Sequence, residues 1–318
     1  MIHSFVHTLR YEADGVLGIE LRSLDGEPLP AFSAGSHVDL HLPGGVQRSY
    51  SLVNDPAERD RYVLAVLRDA KSRGGSKAVH ELLRIGMPIN LSEPRNNFPL
   101  HEDAPHSVLV SGGIGITPLL CMARRLRSLA RSFEMIFCAR SRRVAAFAAE
   151  VAALGVPVHW HFDDEAGAPP DLGALLSSRG GAGVASTHYY ACGPSPMLDA
   201  FTAACDTLGY GNAHIERFSA AQPVEEIGSD RGFTVRLQRS GKEFAIAPGQ
   251  SILTVLLDAG MQPSFSCQDG FCGSCETAIL EGEPEHRDSV LSDAERASGK
   301  TMMICVSGSR GDRLVLDL

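Results

Sequence analysis

Four cysteines near the carboxyl end of the sequence have the side-chain type and the spacing of a metal-binding set. Cys267, Cys272 and Cys275 are spaced C-x4-C-x2-C, and Cys305 follows after 29 further residues. Thiolates in this spacing, with a distant fourth cysteine, are typical ligands of a [2Fe–2S] cluster. A zinc site more often uses two C-x2-C pairs, and a single such pair occurs here. The sequence therefore predicts a [2Fe–2S] cluster at these four cysteines, with a zinc site or a disulfide pair as the alternatives.

The residues between the cysteines fit a loop that wraps around an inorganic cluster. Gly270 and Gly273 allow the backbone to pass close to it, and the small Ser266 and Ser274 leave room for amide N–H groups to reach the sulfur atoms. Such a cluster carries one electron at a time, so a centre that supplies it with electrons is expected elsewhere in the chain.

The composition excludes several other classes of protein. A chain of 318 residues is too long for one core, and two or three domains are expected. The net charge of −9 argues against a nucleic-acid-binding surface. The N-terminus lacks a signal-peptide pattern and no stretch of about 18 apolar residues occurs, so a soluble protein without a membrane partner is expected. Eight cysteines without an export signal indicate a reducing compartment, where metal or catalytic roles outrank disulfides.

The region around the cysteines, residues 230–318, has the pattern of a small mixed domain. "GFTVRLQRSGKEFAIAPGQ" alternates apolar and polar residues around a Ser-Gly turn and predicts a hairpin. "QSILTVLLDAG" predicts an amphipathic helix that is closed by Gly260, and three further short strands follow. This stretch resembles the β-grasp fold of plant-type ferredoxins.

Residues 1–100 are rich in short strand patterns and predict an antiparallel β-barrel. The strands are "VLGIELRS", "HVDLHLP", "QRSYSLVN" and "RYVLAVLRD". Arg48 and Tyr50 alternate along one strand and share a face, which suits a ligand with a phosphate and a flat aromatic ring. A surface arginine beside a half-buried tyrosine is the alternative interpretation.

A second feature of the same region is "SRGGSKAVHELLR", residues 72–84. Gly74 and Gly75 permit a tight turn, Ser76 is the predicted N-cap, and an amphipathic helix follows. Unpaired N–H groups at the start of a helix form an anion site, so a phosphate is expected there. A capped helix without a ligand is the alternative, although the two features together in one barrel favour a ligand.

Residues 101–224 alternate between strand and helix patterns and predict a doubly wound parallel α/β domain, with "RVAAFAAEVAAL", residues 143–154, as one of its helices. "GGIGITP" lacks the third glycine of the dinucleotide fingerprint, but it brings backbone amides and the Thr117 hydroxyl to a strand-to-helix turn where a pyrophosphate can bind. "CGPSPM" occupies the end of a later strand and begins at Cys192. A lone cysteine in such a place is more often a small apolar residue than a reactive one.

These motifs together resemble the ferredoxin–NADP reductase superfamily. "RSYS" in a barrel is followed by "GGIGITP" and "CGP" in an α/β domain, and a plant-type ferredoxin comes last. That order resembles the phthalate dioxygenase reductase and vanillate O-demethylase reductase family over essentially the whole chain, including "SEPRNNFPL" and "CARSR".

The resemblance assigns roles to individual residues. One group of residues would hold the flavin, which is expected to be FMN, and another would hold the pyridine nucleotide. The expected flavin residues are Arg48, Ser49, Tyr50, Ser51, Gly74, Gly75, Ser76 and Phe218. The expected nucleotide residues are Gly112, Gly113, Gly115, Thr117, Arg140, Ser141, Cys192, Gly193 and Pro194. Ser51, Thr117 and Cys192 are the expected catalytic residues.

The implied function is that of an oxygenase reductase. Electrons from NADH would pass through FMN and the [2Fe–2S] cluster to a separate Rieske-type terminal oxygenase, in the catabolism of an aromatic or related compound. The protein is expected to be a monomer in the bacterial cytoplasm. One alternative is a stand-alone NAD(P)H-dependent reductase of ferric iron, flavin or quinone, and another is an electron-carrier or zinc module with a vestigial nucleotide domain.

The choice between NADH and NADPH depends on the charges near the ribose of the nucleotide. The arginines of "ARSRR" after the strand "FEMIFCA" would suit the 2′-phosphate of NADPH, but Arg142 and Arg143 can equally begin a helix on its solvated face. Similar segments occur in NADH-using members of the family, and Asp163 and Asp164 supply negative charge, so NADH is expected over NADPH.

Residues 219–232, rich in proline, glycine and polar residues, are expected to form a linker. This linker would let the ferredoxin domain dock and undock.

Overall fold

The computed structural model describes residues 1–70, 74–179, 184–218 and 231–318. The chain divides into two compact units, Met1–Arg217 and Phe218–Leu318. Within these described ranges, no helix combines the length and the apolarity needed to cross a membrane. The predicted linker lies largely outside the described residues, and the predicted domain limits of 1–100, 101–224 and 230–318 stay predictions.

The first unit begins with a six-stranded antiparallel sheet. Its elements are β1 (Ile2–Ala13), β2 (Val16–Ser23), β3 (His37–His41), β4 (Gln47–Ser51), β5 (Tyr62–Leu67), helix α1 (Gly75–Leu82) and β6 (Pro88–Leu91). The strand order is β4-β3-β6-β1-β2-β5. Val6, Leu21 and Leu40 are fully buried and pack in one core, as expected for strands that alternate apolar and polar residues. The four predicted strands of this region are confirmed.

A five-stranded parallel sheet follows in the same unit. Its strands are β7 (His106–Gly112), β8 (Ser132–Ala139), β9 (Val158–Phe162), β10 (Thr187–Cys192) and β11 (Ala213–Glu216). The helices are α2 (Ile116–Ser128), α3 (Ala148–Ala152), α4 (Asp163–Ala166), α5 (Leu172–Ser177) and α6 (Ser195–Leu208). The strand order is β11-β10-β7-β8-β9, so the direction of winding reverses between β7 and β10. Ligands of doubly wound sheets bind at the carboxyl ends of the strands beside such a switch point.

Two local predictions in this unit are wrong. The pattern "RVAAFAAEVAAL" suggested one helix over 143–154, but α3 covers only Ala148–Ala152 because Phe147 adopts the left-handed conformation with φ +60°. Ser76 does not cap α1, because the helix begins at Gly75 and its N-cap is Gly74 with φ +96°. Glycine reaches this conformation without the steric cost that a Cβ atom brings.

The second unit contains two sheets and two helices. The elements are β12 (Phe233–Leu237), β13 (Glu243–Ile246), α7 (Ile252–Asp258), β14 (Glu276–Glu281), β15 (Pro284–Glu285), α8 (Asp293–Ser298), β16 (Thr301–Met303), β17 (Gly308–Ser309) and β18 (Arg313–Leu316). Five strands form a mixed sheet with the order β13-β12-β18-β14-β16, and β15 and β17 form a separate two-stranded sheet. The predicted hairpin and the helix before Gly260 are both present. Leu253 and Leu256 of α7 pack with Val235 and Leu237 of the sheet in one core.

Candidate functional site

The four candidate cluster cysteines lie in the loop between α7 and β14 and in the turn after β16. Each is at most 7% exposed. The Cys267 thiol contacts both the Cys272 and the Cys305 thiols, and the Cys305 thiol contacts that of Cys275. The four sulfur atoms therefore converge although 29 residues separate the last two cysteines in the chain.

The electrostatics of the cysteine loop fit thiolate ligands of a metal cluster. Contact with the Cys267 thiol, together with burial, raises the pKa of Cys272. The pKa values of Cys267 and Cys305 are also raised, by contact with the Cys305 and Cys275 thiols respectively and by burial. Backbone N–H groups oppose this rise: those of Asp269 and Phe271 at Cys267, and that of Gly270 at Cys305. Metal ligands must be deprotonated, and N–H groups aimed at sulfur stabilise the negative charge. The donor set thus suits a [2Fe–2S] cluster held by four thiolates.

The cysteine loop requires glycine at position 270, both for its backbone conformation and for lack of space. The φ of Gly270 is +70°, and a Cβ atom there would lie 2.6 Å from Cγ2 of Val306 and 3.1 Å from Cα of Asp288. Its carbonyl accepts a hydrogen bond from the Ser289 amide at 2.8 Å. A larger residue would therefore push the loop away from the turn that carries Cys305.

A candidate flavin site forms where β4 meets the start of α1. A Cβ atom at Gly75 would lie 2.5 Å from Cγ and 2.8 Å from Nε of Arg48, so the arginine side chain crosses directly over the first residue of the helix. The guanidinium and the N-terminus of the helix are both favourable to an anion. The structure thus brings "RSYS" and "GGS" together, as the predicted phosphate site requires.

The opposite face of β4 is fixed by a buried carboxylate. Asp39 is fully buried and accepts hydrogen bonds from Ser49 Oγ at 2.5 Å and from Gln47 Nε2 at 3.0 Å. It also pairs with Arg95, whose positive charge counteracts burial and holds the pKa of Asp39 below its usual range. Ser49, which was assigned to the flavin, therefore orients the strand from its far face, while Arg48 and Tyr50 lie on the other.

Glu216 is a functional candidate that the sequence patterns missed. Ser51 Oγ donates a hydrogen bond to Glu216 Oε2 at 3.5 Å, and Glu216 pairs in register with Cys192 across β10 and β11. Glu216 is partly accessible as a residue, but its carboxyl lies deep enough that burial raises its pKa to about 8. Burial and the neighbouring Glu216 raise the pKa of the Cys192 thiol. A hydroxyl, a thiol and a protonated carboxyl thus meet at the switch point.

The two predicted glycine turns pack directly against each other. A Cβ atom at Gly115 would lie 2.1 Å from the Cys192 carbonyl oxygen, and one at Gly193 would lie 3.0 Å from Cα of Gly112. These contacts join the ends of β7 and β10 backbone to backbone. Only residues without side chains allow this approach, at the switch point beside the start of α2, where doubly wound sheets bind their ligands in a crevice.

Other predicted nucleotide residues lie at the same end of the sheet. Thr117 is 2% exposed and its hydroxyl donates to the Ile114 carbonyl at 3.0 Å. Arg140 and Ser141 directly follow β8, which is paired with β7. Phe218 begins the second unit and is 37% exposed, so its role at the flavin stays a prediction.

Comparison with known proteins supports a [2Fe–2S] domain and a reductase fold. Residues 235–308 match the family described as the 2Fe-2S iron-sulfur cluster binding domain. The chain is 49% identical to the phenoxybenzoate dioxygenase subunit beta of Ectopseudomonas oleovorans, over 98% of this chain and 96% of the relative. It is 46% identical to the tetrachlorobenzoquinone reductase of Sphingobium chlorophenolicum, over 96% of this chain and 94% of the relative. The solved structure of phthalate dioxygenase reductase is 38% identical and matches with a TM-score of 0.74, over 100% of this chain and 98% of that chain.

Proposed function

The chain belongs to the phthalate dioxygenase reductase family, and from this premise we propose that it passes electrons from NADH through FMN and a [2Fe–2S] cluster to a separate Rieske-type terminal oxygenase. Membership of the family establishes the general class of this function. The protein is an oxidoreductase with a flavin- and pyridine-nucleotide-binding fold and a [2Fe–2S] ferredoxin domain, of the kind that serves as the reductase of an oxygenase system.

One observation carries the proposal: a single chain contains both the glycine-lined switch point of a parallel α/β sheet and a four-thiol loop suited to single electrons. A bound flavin accepts the electron pair of a hydride and passes electrons on singly, which a [2Fe–2S] cluster requires. The residues of this chain contribute positions and charges. The Gly112–Gly115 turn and the Cys192–Pro194 turn admit a nicotinamide beside Ser51, and the protonated Glu216 donates or accepts a hydrogen bond there without adding charge.

The acceptor is tested by comparing one-electron and two-electron substrates. We expect the purified protein to show combined flavin and iron–sulfur bands that NADH bleaches, and to reduce a Rieske oxygenase or cytochrome c far faster than a quinone. The likeness to tetrachlorobenzoquinone reductase favours quinone reduction as the second candidate. Quinone turnover that exceeds protein-acceptor turnover and is unaffected by loss of the cluster would establish that second candidate instead.

The first prediction concerns the flavin phosphate. Arg48→Ala removes a charge-assisted contact over the start of α1, for which about 1.5–3 kcal/mol is typical. FMN affinity should fall roughly tenfold or more, so gel filtration at low FMN should give colourless flavin sites with the iron–sulfur colour intact. Arg22→Ala, on the surface of the same sheet, is the control and should retain its flavin. Extraction of FAD from the native protein would contradict the cofactor assignment.

A second prediction concerns the choice of nicotinamide. Arg142 donates to both carboxylate oxygens of Glu165, at 2.6 and 3.0 Å, and stacks on Phe162, while Arg143 pairs with Asp14. Two of the three arginines that could hold a 2′-phosphate are therefore engaged with carboxylates, which favours NADH. We expect a higher kcat/KM for NADH in steady-state reduction of a dye.

Glu165→Gln provides the sharper test of the same idea. It releases Arg142 from its carboxylate, so kcat/KM for NADPH should rise a few-fold while that for NADH stays nearly constant. Glu150→Gln, which removes one of the two carboxylate partners of Arg10, is the matched control and should leave the ratio unchanged. A native enzyme that prefers NADPH would show that the arginine cluster, despite its ion pairs, binds the phosphate.

A further inference from the structure

Three histidines converge at a place that the electron-transfer function does not use. His101, His188 and His214 each offer a ring nitrogen, and these three atoms all lie within 4.8 Å of one another. His188 Nδ1 and His214 Nε2 are joined by a hydrogen bond of 3.0 Å. We call these three residues the histidine cluster.

The sheet positions the histidine cluster. His188 is on β10 and His214 on the neighbouring edge strand β11, where it pairs in register with Tyr190. His101 comes from the connection between β6 and β7, and its amide donates to the Tyr190 hydroxyl at 2.9 Å. Its ring lies 4.5 Å from the His188 ring and 5.0 Å from the His214 ring. Three separate segments therefore hold the imidazoles together.

The spacing of the ring nitrogens suits a transition-metal ion. Zinc–nitrogen bonds of about 2.0–2.1 Å at tetrahedral angles place two ligand nitrogens about 3.3 Å apart. The 3.0 Å pair is close to that separation, so an ion would take the place of the hydrogen bond between these two rings, and rotation of the exposed His101 side chain would bring the third nitrogen within reach. We propose that the histidine cluster binds a divalent ion of the zinc, copper or nickel class, with water at the remaining coordination position.

The chemistry of the imidazole ring favours a metal rather than an anion. A neutral imidazole that gives up its hydrogen bond has a lone pair for a metal. Imidazole is the preferred ligand of zinc, copper and nickel, whereas magnesium and calcium prefer oxygen.

A bound ion would fasten the connection before β7 to the edge strand that carries Glu216. His214 and Glu216 are two residues apart on β11 and so face the same side of the sheet. The ion would thus hold β11 in place, and β11 carries Glu216, which contacts Ser51. The expected role is to position β11 rather than to take part in electron transfer.

The test uses the full chain with flavin and cluster bound. Isothermal titration with ZnCl2 should give one site per chain, and His188→Asn and His101→Asn should each weaken it at least tenfold, since even the loss of a residue behind a ligand typically costs about 10–100-fold. His106→Asn, at the start of β7 and outside the cluster, should bind zinc like the native protein. One equivalent of Cu²⁺ added to the oxidised protein should give an EPR spectrum with nitrogen superhyperfine splitting that both ligand variants lose.

Each result decides the proposal. His101 is exposed, so its variant is expected to fold, and unchanged flavin and iron–sulfur absorption checks this. Zinc affinity that is equal in the native protein and in both variants would overturn the proposal. So would a Cu²⁺ spectrum without nitrogen splitting, or with splitting that persists in His101→Asn and His188→Asn.

Discussion

Cys272→Ser is expected to abolish electron transfer to one-electron protein acceptors while leaving NADH oxidation through the flavin intact. Cys272 is 7% exposed, its sulfur contacts the Cys267 thiol, and it accepts a hydrogen bond from the Cys267 amide at 3.4 Å. A serine hydroxyl is a poor ligand for an iron site built of thiolates, so the cluster should be lost or unstable. Iron content, the iron–sulfur absorption bands and cytochrome c reduction should all fall together.

The same chain provides matched controls for the loss of a thiol. Cys121 in α2, Cys138 in β8 and Cys205 in α6 are each at most 4% exposed and belong to the first compact unit, whereas the cluster loop belongs to the second. Their serine variants should retain the flavin, the cluster and electron transfer, at some cost in stability from burying a hydroxyl. If Cys272→Ser kept its iron and its turnover with cytochrome c, the cluster assignment would be wrong.

The elements that determine function could be predicted from the sequence because their signals are local. The C-x4-C-x2-C spacing, the two glycine turns and the alternation of strands and helices each lie within a short stretch of chain. The helix predicted over 143–154 also had a local sequence pattern, but the left-handed conformation of Phe147 interrupts the helix. The Phe147 side chain is buried, with 2% of the residue exposed. Packing of a large side chain into the core overrides helix propensity there.

The parts that could not be predicted depend on contacts between distant residues. Glu216 lies 165 positions from Ser51, and its importance comes from the pairing of β11 with β10 and from burial. The histidine cluster likewise joins a connecting segment to two strands that are remote in the sequence. Neither set has a spacing that a motif could capture, because the fold, not the local sequence, brings the side chains together.

Gly115→Ala is expected to impair reduction of the flavin by NADH by about 10²-fold or more, since misplacement of a substrate by about 1 Å can cost that much. The backbone of Gly115 has φ −61° and ψ −5°, which any residue adopts, so strain in its own conformation is not the reason. The obstacle is the Cys192 carbonyl oxygen, 2.1 Å from the position that a Cβ atom would take, and the Gly193 amide nitrogen at 2.7 Å. The ends of β7 and β10 must separate, and the nicotinamide crevice must change shape. Stopped-flow reduction by NADH measures the effect.

Gly113→Ala separates crowding from backbone conformation at the same turn. Gly113 has φ +55°, and a Cβ atom there would meet nothing within 4 Å. Its alanine variant should cost about 1–2 kcal/mol in stability through the left-handed conformation but should keep most of the NADH reaction. Dithionite should still reduce flavin and cluster in both variants, because that reductant does not need the crevice. Equal losses of the NADH rate in the two variants would mean that flexibility of the turn, rather than the close contact between the ends of β7 and β10, governs hydride transfer.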